Sequence, residues 1–91
     1  PNRKEMIMEK VTFDFSKLRG KIKEEFKSET NFSEKAKVSK SSLSAKLNNK
    51  AYFNPSEIVK FSGLLNIPDE EVKTYFFTLE VRKTENKQLI N

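Results

Sequence analysis

The sequence predicts a mostly α-helical domain of five short helices, with a small two-stranded antiparallel sheet available to its two ends. Three observations carry that expectation. Apolar residues recur four apart in Leu18/Ile22/Phe26, Phe32/Ala36 and Leu43/Leu47, which puts each set on one helix face. Ser, Asn and Pro stand where helices start. Two Gly and three Pro are too few for a loop-rich chain.

Lys10–Phe15 alternates Val11, Phe13 and Phe15 with Thr12 and Asp14, a strand pattern, with an extended lead-in as the alternative. Asp14 or Ser16 can cap the first helix, which runs to about Lys27 and buries Leu18, Ile22 and Phe26. Ser28 caps a second helix over Glu29–Ala36, and Ser39 caps a third over Lys40–Asn48. Asn48-Asn49 ends the third, because Asn tolerates the left-handed conformation of a helix stop. The fourth helix has the clearest start: Asn54 as cap, Pro55 at the first helical position and Glu57 completing a capping box. Ile58, Phe61, Leu64 and Leu65 then face the core, and Asn66 ends the helix.

Pro68 opens the fifth helix, with Asp69, Glu70 and Glu71 placed to favour its dipole and not to bind metal. Val72 and Phe76 form its buried stripe, leaving Tyr75 and Phe77 partly exposed. Thr78–Lys83 alternates again and is the second strand candidate. The expected organisation is an extension over residues 1–9, one domain over 10–83 and a polar tail over 84–91.

Ninety-one residues allow one modest core, and eight Phe with no Trp point to Phe as its main filler. The absence of Cys and His removes thiolate sites, the commonest metal ligand and the commonest general base. No catalytic residue, metal site or cofactor is expected, and no small-molecule substrate. No run approaches a membrane span. The net charge of +5 is unevenly placed. Residues 1–50 hold 13 Lys/Arg against 7 Asp/Glu, while residues 51–91 hold 5 against 6. The basic half points to a polyanion, nucleic acid before membrane; a solvated lysine face is the competing reading.

The outer face of the third helix is the informative one. It offers Lys40, Ser41, Ser42, Ala45 and Lys46, and no acid occurs between Lys35 and Lys50. Lysines neutralise phosphates, and serines bond to phosphates or base edges.

Here the chain resembles the phage-repressor-like (XRE, Cro/C1-type) helix-turn-helix family. The residues that carry the likeness are Phe32-Ser33, Ala36-Lys37-Val38-Ser39, Leu43-Ser44 and Asn48-Asn49-Lys50. FDFSKLRGKI, SLSAKLNNKAYF and NIPDEEVKTYFF are similar to stretches of small phage-encoded regulators of Gram-positive bacteria. The resemblance implies sequence-specific binding of double-stranded DNA, with the third helix in the major groove. Lys40, Ser41 and Ser42 would read bases. Ser28, Thr30, Ser39, Ser44, Lys46, Lys50 and Tyr52 would serve as backbone or secondary contacts. Three positions depart from the pattern. Lys37 stands where the turn usually has Gly, Asn49 stands where a Gly usually follows the second motif helix, and Glu29 stands where a Gln often bonds phosphate.

A bacterial cytoplasmic repressor, phage- or prophage-encoded, is the leading expectation. It would form a weak homodimer through residues after Thr74, strengthened on DNA, against a monomer with a disordered tail. The alternative is a protein-binding module of antirepressor or antitoxin type on the same scaffold.

Overall fold

Capping chemistry sets most of the helix boundaries. In the computed structural model, which describes residues 11–80, α1 spans Ser16–Phe26, α2 Glu29–Ala36, α3 Lys40–Leu47, α4 Pro55–Leu64 and α5 Val72–Phe76. Ser28 Oγ accepts the Asn31 amide at 3.0 Å and Ser39 Oγ accepts the Ser42 amide at 3.0 Å, starting α2 and α3 as expected. The Asn54–Glu57 capping box forms in both directions at the start of α4. Each of these caps satisfies amides that the helix itself cannot bond.

Three helix ends share one device. Lys37, Asn49 and Asn66 take the left-handed conformation, with φ of 60°, 62° and 58°. The next residue's amide then returns to a carbonyl five positions back: Val38 to Ser33, Lys50 to Ala45 and Ile67 to Ser62. This is the Schellman stop, and it consumes carbonyls left open at the helix end. At Lys37 the conformation is held by a side chain that does not favour it.

Four expectations are corrected. α1 begins without a side-chain cap, because Asp14 Oδ1 bonds the amide and hydroxyl of Ser16 in a turn just before it. The fifth helix is broken: the Glu71 amide bonds the Pro68 carbonyl at 2.8 Å, so Asp69–Glu71 form one tight 3₁₀ turn ahead of α5. Tyr75 is buried and not partly exposed, since α5 packs on α1 and the Lys17 ammonium sits 5.3 Å from the ring centre. The terminal sheet reduces, among the described residues, to one antiparallel bridge between Phe13 and Leu79. Its bonds run from the Asp14 amide to Thr78 and from the Glu80 amide to Thr12. The Asn49 side chain occupies the other edge, bonding the amide and the carbonyl of Phe13 at 2.8 and 2.9 Å. No backbone group of Phe13 remains for a further strand. Lys10 and residues 81–83 of the strand candidates, and the expected extension and tail, lie outside the described residues.

The core joins all five helices. α1 packs on α2 and α5, α2 on α3 and α4, and α4 on α5. Leu18, Ile22, Phe32, Ala36, Leu43, Leu47, Phe61, Leu65, Ile67 and Phe76 are buried. All eight Phe of the chain are linked ring to ring, from Phe26 through Phe32, Phe61 and Phe53 to Phe76 and Phe15, then Phe13 and Phe77. Most of these contacts are edge-on, the arrangement that ring quadrupoles favour.

Candidate functional site

Two surfaces stand out, and the α2–α3 unit borders the first. α2 and α3 are joined by the three residues 37–39. The Leu43/Leu47 stripe faces inward, so the first turn of α3 projects Lys40 and Ser41 into solvent. Beside it lies a groove of about 420 Å³ lined by Arg19, Lys23 and Lys27 of α1, Ser28, Glu29 and Thr30 at the start of α2, and Lys40 of α3. Arg19 organises its floor. The guanidinium pairs with the Glu29 carboxylate at 2.7 Å and also donates to the Leu47 carbonyl and Asn48 Oδ1. One side chain thus ties α1 to α2 and to the end of α3. The Glu29 carboxylate, which would repel phosphate if alone, is thereby neutralised.

The structure brings Ser28, Thr30 and Lys40 of the sequence candidates to this groove and places the others elsewhere. Ser42 is half-buried, and Ser39 uses its hydroxyl as the cap. Asn48 Nδ2 donates to the Ser44 carbonyl at 2.9 Å and, more weakly, to the Ser44 hydroxyl at 3.3 Å. Lys46 turns inward and pairs with Glu57 at 2.5 Å, with both side chains more than four-fifths buried. Tyr52 donates its hydroxyl to the Val11 carbonyl at 2.8 Å. Lys50 is exposed beyond α3.

Sequence reasoning missed Arg19, Lys23 and Lys27. The signal was present: they are spaced four apart, so they form one stripe of α1.

The Lys46–Glu57 pair has an electrostatic signature. Burial pushes the Glu57 carboxyl up, but the Lys46 hydrogen bond, the Asn54 amide and the charges of Lys46 and Lys60 outweigh it. The net shift is below the ordinary carboxylate value.

The second surface is apolar. A groove of about 390 Å³ is lined by Val11, Phe13, Phe15, Tyr52, Phe53, Ile58, Phe76 and Phe77. Val11, Tyr52, Phe77 and the adjoining Leu79 are 43–63 % exposed. No group of acids placed to hold a metal ion occurs among the described residues, and no helix there is long and apolar enough to cross a membrane.

A family profile described as "Protein of unknown function (DUF739)" matches residues 11–79. Among solved structures, the chain is similar to the modulator of repression (MOR) of the temperate bacteriophage TP901-1 from Lactococcus lactis. The two share 33 % identity, with 77 % of this chain and 95 % of that one covered and a TM-score of 0.67. No curated protein matches the chain.

Proposed function

The chain belongs to the DUF739 family, and from that premise we propose that it is a phage-type regulator of repression that acts by binding a protein partner. The partner is the DNA-binding repressor whose activity it changes. The observation that carries this reading is the likeness to a phage modulator of repression over nearly that protein's whole length. The site agrees with it. Of the expected DNA-backbone contacts, Lys46 near the end of α3 is held by Glu57 and the Tyr52 hydroxyl by Val11, while Lys50 stays exposed. The function is one of recognition and not of catalysis, exercised in the bacterial cytoplasm.

Calorimetric titration of the chain with the repressor of the phage or prophage that carries it tests the proposal. Saturable binding without DNA is expected. Absence of heat at concentrations well above those of the cell would defeat it.

A second reading has its own support. Lys40 and Ser41 stand exposed on α3, in the XRE-like arrangement that the resemblance implies. In that reading α3 of a helix-turn-helix enters the major groove, with Lys40, Ser41 and Ser42 at base edges and a weak dimer strengthened on DNA. Selection of duplexes from a random pool by the chain alone separates the two readings.

A further inference from the structure

The groove between α1 and the α2–α3 unit combines features that none of its residues has singly. Lys23, Lys27 and Lys40 are exposed and have no ion-pair partner among the described residues. Arg19 is engaged with Glu29, Lys21 with Glu24 and Glu25, and Lys46 with Glu57. The carboxylate that lines the groove, Glu29, is already matched by Arg19. The Glu29 and Thr30 amides precede the first intrahelical bond of α2 and donate to no group among the described residues. Three lysines without an ion pair and the two residues with open amides therefore line one concavity of about 420 Å³. That is an anion-accepting surface.

The partner selects the kind of anion. For a protein partner, a basic concavity made by Lys23 and Lys27 of α1 and Lys40 of α3 suits a short run of carboxylates.

We infer that the groove lined by Arg19, Lys23, Lys27, Glu29, Thr30 and Lys40 is the docking site for an acidic segment of the chain's protein partner. This rests on the protein-binding reading above. It adds where the partner binds and what chemistry it presents. Arg19 is the positioning residue, because it holds Glu29 away from incoming carboxylates. Lys23, Lys27 and Lys40 make the contacts.

The test uses the full chain and a hexaglutamate peptide as probe, followed by amide chemical shifts. Shifts at Lys23, Lys27, Glu29, Thr30 and Lys40 are expected. The variant K23Q/K27Q/K40Q should bind the peptide about tenfold or more weakly. The control K35Q/K37Q/K50Q removes the same charge from exposed lysines outside the groove and should bind like wild type. All six side chains are exposed, so circular dichroism of both variants should match the parent. Equal weakening in the two variants, or shifts spread over all lysines, would overturn the assignment. So would a short duplex that maps to the groove while the peptide does not. A repressor that binds wild type and K23Q/K27Q/K40Q equally would overturn the docking site and leave the protein-partner reading intact. A repressor that does not bind at all, with the peptide mapped to the groove, would remove the partner's identity and leave the groove's preference for carboxylates.

Discussion

The basic groove and the aromatic face are built in opposite ways. The groove is lined by helices with defined ends: Ser28 and Ser39 cap α2 and α3, and Lys37 closes the turn between them. The aromatic face is backed by Ile58 of α4 and Phe76 of α5, but its Val11–Phe13 side rests on extended chain, on one bridge between Phe13 and Leu79, and on the Asn49 side chain that clamps Phe13. One region presents charge from a stiff frame. The other presents apolar surface whose Val11–Phe13 side has few backbone bonds. The difference teaches where partner recognition and where tolerance to change should lie. Preorganised cations lose little entropy on binding, whereas a segment with few backbone bonds opens at low cost.

The largest expected effect strikes what the two regions share. Phe32 is fully buried and touches Phe26 and Phe61. Phe32→Ala should cost about 3–5 kcal/mol and lower both regions in one transition, measured by thermal unfolding with near-ultraviolet and amide probes. Two separate transitions would break the idea of a single ring-linked core.

A smaller effect separates the regions. Phe13 is half-buried and meets Phe15, Tyr52 and Phe77. Phe13→Ala should cost about 1–3 kcal/mol. The amide shifts of Lys23, Lys27 and Lys40 should stay in place, which a single heteronuclear spectrum checks.

The Lys46–Glu57 pair sharpens the comparison by pH. The folded-state pKa of Glu57 lies below its ordinary value of 4.5. Its contribution is therefore present above that value and lost as pH falls through the folded pKa. Glu57→Gln should be less stable than wild type by about 1 kcal/mol at neutral pH. The gap should close on acidification below the ordinary carboxylate range. Denaturant unfolding across a pH series reads both. A gap that persists in acid would mean that the pair contributes through packing alone.

The smallest effect is a gain. Lys37→Gly relieves a left-handed lysine and should stabilise by about 0.5–1 kcal/mol. A loss on chemical denaturation would show that the Lys37 side chain supports the turn.

What was legible in the sequence follows from the range of each interaction. The spans of α2, α3 and α4 and their caps depend on residues three or four apart, and they read correctly. The Phe core was legible from composition and spacing. The site was legible only in part. Arg19 meets Glu29 ten residues on and Asn48 twenty-nine on, and Lys46 meets Glu57 eleven on. Such pairs depend on how helices cross, which periodicity does not encode. From sequence alone Lys46 thus reads as an outward phosphate contact, and the contacts of Arg19 are not legible. The buried Tyr75 and the Asn49 clamp have the same origin, since both depend on contacts between distant segments.

The central claim is that the chain regulates through a protein and not through DNA of its own choosing. The most direct test is electrophoretic mobility of the repressor's operator with the repressor, the chain, or both. The account predicts that the chain alone leaves the operator unshifted and changes the repressor–operator complex. An operator shifted by the chain alone, and released by Lys40→Glu, would contradict it.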